Sequence, residues 1–306
     1  MYTNSSCATI STSKNCFRHG RKDRDFLNWR WKPEKCDLPR FDAKAYLDIV
    51  RGKTLAFIGD SVARNHIESL LCLLSQEEVP VDAYLDSEDR NRVWHFPVHN
   101  FTLKMAVDKI PVDENWGREL HGLDYVILSD AHWFFRQIYL HKGSNVVACV
   151  YCNVANVTDE GVVFALRMAF RAALSHINQC KKCEGMVTLL RTFSPSHFEN
   201  GSWNSGGSCN RTRPYSERKI DLGGYEWEMR RMQVEEIERA KRKGKRFGVV
   251  DVTKAMLMRP DGHPGAFWGN QWMQGYNDCV HWCLPGPIDV WNDLLLALLR
   301  RLPVRA

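Results

Sequence analysis

Four apolar residues in a row, Leu55-Ala56-Phe57-Ile58, run into Gly59-Asp60-Ser61 and then into a segment whose apolar residues recur at helical spacing. A strand with no polar face to offer water must be covered on both sides, so this segment belongs at the centre of a buried sheet. Gly59 permits the turn that follows. From Val62 to Leu74 the residues Ile67, Leu70, Leu71 and Leu74 keep a helix's period, which predicts Ser61 at a helix N-terminus. There the first backbone N–H groups lack intrahelical partners and carry partial positive charge. Two jobs are open to a serine so placed: capping the helix, the commonest use, or attacking a carbonyl while those N–H groups hold the oxyanion.

A nucleophilic serine needs a base, and the far end of the chain offers Asn277-Asp278-Cys279-Val280-His281-Trp282-Cys283. Asp278 and His281, three residues apart, are expected on one face of a helical turn, where the carboxylate orients the imidazole. A surface pair has the same spacing. Ser61, Asp278 and His281 form a catalytic set only if folding brings them together, because triads follow role and not chain order.

Between these ends, strands alternate with helices. Asp124–Leu128, Met186–Phe193 and Phe247–Val252 read as further buried strands, and Arg92–Phe96 with Phe101–Val107 as a hairpin around Pro97. Helices are expected over 162–179, 225–243 and 288–302. The alternation predicts an α/β fold with a parallel central sheet between two helical layers. His132, just after the second buried strand, stands where such folds place functional groups, though a histidine beside an aromatic is more often structural. Residues 1–52 are polar, irregular and rich in Cys, Arg and Trp, which predicts a smaller disulfide-tied lobe. Residues 53–306 form the core with inserted loops, the whole acting as one catalytic domain. Trp29 and Trp31 alternate with Arg30 as in a strand with one aromatic face, either stacking on sugars or forming the lobe's local core.

With 44% hydrophobic and 25% charged residues, a chain of 306 residues buries a full core. The net charge of +6 includes the run Arg239–Arg246, which reads as a solvated helix end, and no nucleic-acid motif accompanies it. Eleven cysteines and the sequons at Asn4, Asn100, Asn156, Asn200 and Asn210 point to an oxidising, secretory compartment. Cys149-x-x-Cys152 and Cys180-x-x-Cys183 have zinc-site spacing, but in that compartment disulfides are the stronger reading, and no metal is expected. The start has no basic and apolar leader, and no apolar run is long enough to span a membrane.

Gly59-Asp60-Ser61 with Arg64-Asn65, the block DCVHWCLPGPIDVWN, and the segments NCFRHGRKDRDFLNWRWKPEKCDLPRFD, SDAHWFFR and RTFSPSHFENGSWNSGGSC resemble the plant trichome birefringence-like polysaccharide O-acetyltransferases of the SGNH/GDSL superfamily. The xyloglucan branch is the nearest in appearance. The resemblance implies an SGNH-hydrolase-like three-layer αβα fold and a type II protein of the Golgi lumen, with an N-terminal membrane anchor absent from this chain. It also implies a Cys7–Cys72 bridge, with Cys16 or Cys36 left without its partner. The implied partners are an acetyl donor, acetyl-CoA or another acetyl carrier, and a cell-wall acceptor: xyloglucan, alternatively xylan or mannan. The implied mechanism passes through an acetyl-Ser61. The superfamily's usual oxyanion glycine and asparagine are missing here, so the Ser61 N–H with Arg64 or Asn65 is expected to serve. Trp133, Arg191 and His197 are the implied substrate contacts. An acetylesterase or a non-catalytic glycan-binding protein are the rival readings.

Overall fold

In a computed structural model, which describes residues 2–3, 5–107, 117, 119–270 and 273–302, the first apolar run is strand β1 (Thr54–Gly59), with five of its six residues buried. It lies fourth in a seven-stranded sheet. The other strands are β2 (Val81–Leu85), β3 (Asn91–Phe96), β4 (Phe101–Val107), β5 (Tyr125–Ser129), β8 (Val187–Arg191) and β9 (Arg246–Val250), in the order β2-β3-β4-β1-β5-β8-β9. The five strands from β4 to β9 run parallel, whereas β3 is antiparallel to both of its neighbours. The expected hairpin is therefore part of the central sheet, which makes that sheet mixed. Sequence reading missed a separate hairpin, β6 (Ile138–Lys142) with β7 (Asn145–Val150), of which β7 is buried only over its last three residues, and the fully exposed β2.

Alternation along the strands divides the interior into two cores. Leu55, Phe57, Tyr125, Ile127, Val187 and Leu189 pack on one face, under α1 (Ala43–Ile49), α2 (Ser61–Leu74) and α6 (Asp289–Arg301). Ala56, Ile58, Val126, Leu128 and Leu190 pack on the other, under α3 (Gly161–Gln179) and α4 (Tyr225–Lys241). Side chains two residues apart share a face, so a continuous apolar run supplies both layers of an αβα sandwich at once. The short α5 (Thr253–Leu257) follows β9. Among the described residues no helix is long and apolar enough to cross a membrane.

Before α1 the lobe holds only two single-turn helices, Thr12–Lys14 and Asp25–Leu27. Trp29 and Trp31 lie in chain without strand pairing, which corrects the strand expectation. Cross-links replace packing here: Cys7–Cys72 joins the lobe to α2, as the resemblance implied, and Cys16–Cys283 joins it to the loop before α6. Cys36 is the free, exposed thiol. Both Cys-x-x-Cys pairs are disulfides, and a fifth bridge joins Cys209 to Cys279. The Asn4 sequon lies outside the described residues; Asn100, Asn156, Asn200 and Asn210 are all exposed.

Two positions near β1 and α2 tie this frame together. Gly59 has an ordinary backbone angle, and its requirement is space: a Cβ there would stand 1.9 Å from the Ser129 carbonyl oxygen. Asp289, half-buried at the start of α6, accepts hydrogen bonds from the Tyr2 hydroxyl at 2.9 Å and from the Ser69 hydroxyl at 2.6 Å.

Gly59→Ala should lower stability by at least about 2 kcal/mol, because the atom it meets is backbone and cannot swing away; an unchanged urea midpoint would contradict this. Burial raises the Asp289 carboxyl from 3.8 to about 6. A raised acid binds its proton more tightly in the native state, so its ionisation costs stability above pH 3.8 and the cost is complete only above pH 6. The stability of Asp289→Asn relative to the parent should therefore rise by about 2–3 kcal/mol between pH 4 and pH 7. A difference in urea denaturation that stays constant over that range would contradict the assignment.

Candidate active site

The turn that carries Ser61 is organised by Asp60. Its Oδ1 accepts from the N–H groups of Val62 and Ala63, at 2.9 and 3.1 Å, and so caps α2. Its Oδ2 accepts from the N–H groups of Ala131 and His132, both at 2.9 Å, and from His132 Nδ1 at 3.2 Å. One carboxylate thus clamps the end of β1 to the end of β5. Burial alone would raise its pKa, but the hydrogen bond and charge of His132, together with Arg191, hold it well below the ordinary carboxylate range. The capping use of Ser61 therefore does not apply, because Asp60 fills that role. An aspartate is as good a cap as a serine, and that preference was the available signal. Ser61 becomes the first helical residue with its hydroxyl uncommitted to the backbone.

That hydroxyl meets the C-terminal segment. Ser61 Oγ lies 2.8 Å from His281 Nε2, and His281 Nδ1 lies 2.9 and 3.1 Å from the two oxygens of Asp278. Asp278 accepts from Nδ1–H, which leaves Nε2 to accept the serine proton. The pair sits in a turn, not on a helix as expected: Asp278 Oδ1 also accepts from the N–H groups of Val280 and His281, so the carboxylate folds its own loop around the imidazole. Burial would raise Asp278, yet the charge and hydrogen bonds of His281 keep it well below its usual value. It is an anion over the whole working range.

The loop is held on every side. Asp278 exchanges two backbone hydrogen bonds with Gly265, and the bridges at Cys279 and Cys283 flank His281. His263, which sequence reading missed, donates from Nδ1 to the His281 carbonyl at 2.6 Å and stacks on Trp282, with ring centres 4.1 Å apart. Burial and the nearby His197 charge push His263 well below the histidine range, so its Nε2 accepts from His197 Nδ1 at 2.7 Å.

The remaining expected site residues divide by position. Asn65, one turn beyond Ser61, gives both ends of its amide to the Trp282 backbone, at 2.7 and 3.2 Å. It sets the spacing between serine and histidine, and its amide is committed there. Arg64 pairs with Asp89. Asp60 takes up the N–H groups of residues 62 to 64 and not that of Ser61. Arg191 is fully buried, donating to Ser129 Oγ at 2.9 Å and to the Thr192 carbonyl at 3.0 Å, with a guanidinium nitrogen 3.8 Å from Asp60. Its place is beneath the nucleophile turn, out of reach of a ligand. His132 likewise joins Asp60 to the Ser194 carbonyl. His197 backs the histidine loop, its N–H donating to the Cys279 carbonyl and burial lowering its ring to about 4. Trp133 remains 37% exposed beneath the Arg136 guanidinium, open to a ligand. Among the described residues no cluster of His, Cys, Asp and Glu is placed to hold a metal. What the arrangement supports is serine acyl chemistry: an oriented base, a hydroxyl in contact with it, and a helix N-terminus behind.

Comparison with known proteins agrees with this geometry. Residues 1–37 match the PMR5 N-terminal domain, and residues 38–114 and 104–298 match the GDSL/SGNH-like acyl-esterase family found in Pmr5 and Cas1p. Xyloglucan O-acetyltransferase 4 of Populus trichocarpa is 78% identical over 99% of this chain and 78% of its own length. Xyloglucan O-acetyltransferase 2 of Arabidopsis thaliana is 53% identical over 99% and 80%. Protein trichome birefringence-like 19 of the same plant is 41% identical over 98% and 77%. With fold, serine turn and full-length similarity in agreement, the chain belongs to the GDSL/SGNH-like acyl-esterase family found in Pmr5 and Cas1p, in its trichome birefringence-like branch.

Proposed function

We propose that this chain, acting as one catalytic unit, transfers acetyl groups from a donor to hydroxyls of a plant cell-wall polysaccharide, with the galactose-bearing side chains of xyloglucan as acceptor. The observation that carries the reading is the 2.8 Å contact between Ser61 and His281 in a chain so similar to curated xyloglucan O-acetyltransferases.

The reaction runs by double displacement. Ser61 Oγ attacks the carbonyl carbon of the donor, acetyl-CoA or another acetyl carrier, as His281 Nε2 takes the hydroxyl proton. The Ser61 N–H, left out of the Asp60 cap, and the positive end of α2 stabilise the tetrahedral oxyanion. Collapse expels the donor's leaving group, which takes the proton from His281, and acetyl-Ser61 remains. A sugar hydroxyl then attacks that ester while His281 removes its proton; the second collapse returns the proton to Ser61 and releases the acetylated glycan. Asp278 stays ionised throughout and fixes the imidazole tautomer. The disulfides and the exposed sequon asparagines favour a lumenal setting, which we place in the Golgi.

Incubation with an acetyl donor and xyloglucan oligosaccharides, followed by mass spectrometry, tests the reading. Acetylated oligosaccharide is the expected product. Loss of preformed acetate without transfer would make the chain an esterase, and retention without chemistry would make it a binder. Ser61→Ala should reduce transfer at least about 10³-fold with an unchanged unfolding midpoint; undiminished transfer would remove the nucleophile assignment.

A further inference from the structure

Away from the triad, the lobe and the core enclose a cavity of about 320 Å³ that the mechanism does not use. Its walls come from residues 26–31, from Tyr215, from the end of β9's following helix and from the start of α6; neither Ser61, Asp278 nor His281 lines it. Leu73, which does, stands twelve residues along α2 from Ser61, about 18 Å at 1.5 Å per residue. A second cavity, of about 470 Å³, shares Arg30, Trp31 and Met258 with the first. Trp31 thus borders both cavities.

The lining has the character of a site. Trp29 is 52% exposed in the wall of the first cavity. Asp293 also faces this space; one oxygen accepts from the Phe41 N–H at 2.7 Å, and burial raises the carboxyl to about 6. Of the charges nearby, Arg259 pairs with Asp261, Lys254 pairs with Glu217 and Glu34, and Arg30 and Arg40 act on Asp293, while Lys32 and Lys35 line the second cavity. Flat indole faces suit the C–H faces of sugar rings, and the flanking polar groups suit hydroxyls.

We infer that the groove around Trp29 and Trp31 is a second glycan site, one that grips a neutral polysaccharide backbone at a distance from the reacting serine. The inference rests on the reading of the chain as an enzyme of polysaccharides and adds to it a place where the polymer is held while a side chain reaches Ser61. A long acceptor would then bind more tightly than its reacting sugar alone.

Affinity gel electrophoresis with xyloglucan in the gel tests this on the Ser61→Ala chain, where no turnover intervenes. Adding Trp29→Ala should weaken binding about tenfold, the loss of one stacked ring with its buried area, whereas Trp29→Phe should restore most of it. Because Trp29 is exposed, all three variants should give the same circular dichroism spectrum. Equal retardation of the Trp29→Ala and Trp29 forms would overturn the inference, as would no retardation by xyloglucan or stronger retardation by polygalacturonate. The readout is independent of acyl transfer: an active-serine chain that binds xyloglucan through Trp29 yet transfers no acetyl group overturns the transferase reading alone.

Discussion

Asp60 is a buried anion with five hydrogen bonds, and the site depends on where those bonds go. Two of them cap α2 and three reach the end of β5. A hydrogen bond to a charged group is worth about 1.5–3 kcal/mol when made, and its loss leaves a buried group unsatisfied. The cluster of His132, Arg191 and Ser129 beneath Asp60 is therefore support for an aspartate, which in turn spares a serine from capping duty. Gly59 serves the same end by letting two backbones approach more closely than any side chain would allow.

The other half of the site is built on a different economy. Among its described residues, the segment 261–288 has no regular helix or strand to stiffen it apart from one short turn at Pro260–Gly262. It is fixed by two disulfides, by the Gly265 bridge and by the Asn65 amide. Cross-links remove freedom from the unfolded chain, and Trp282, Leu284 and Ile288 add buried apolar anchors in the main core. Asn65 joins the two halves directly: it lies on α2 one turn beyond Ser61 and binds the backbone of Trp282, the residue after His281, and so helps set the Ser61–His281 distance.

Much of this was legible in the chain. Leu55–Ile58 announced the central strand because an apolar run has only one stable environment, and Ile67, Leu70, Leu71 and Leu74 announced the helix after it. Strand and helix limits shifted by one or two residues, as frayed ends do. What escaped reading lacked a periodic signal: β2 is exposed along its whole length, and β7 is exposed at its start and continuously buried over its last three residues. At the site, the three residues Ser61, Asp278 and His281 were visible as chemical types. Their supports were not, because roles such as those of Arg191 and Asn65 are set by long-range contacts. A buried arginine and a solvent-facing one look alike in a sequence, and so do an amide that holds a backbone and one that holds a substrate.

The central claim is that Asp60, by bridging α2 and β5, holds Ser61 as an activated nucleophile. The most direct test is the rate at which a fluorophosphonate, which forms a covalent adduct with activated serines, labels Ser61 in the parent chain and in Asp60→Asn, with the adduct located by peptide mass. The account predicts rapid labelling confined to Ser61 and a rate at least about tenfold lower in the variant, since the neutral amide keeps one acceptor where the carboxylate had two. Equal rates in the two chains, or labelling elsewhere than Ser61, would contradict it.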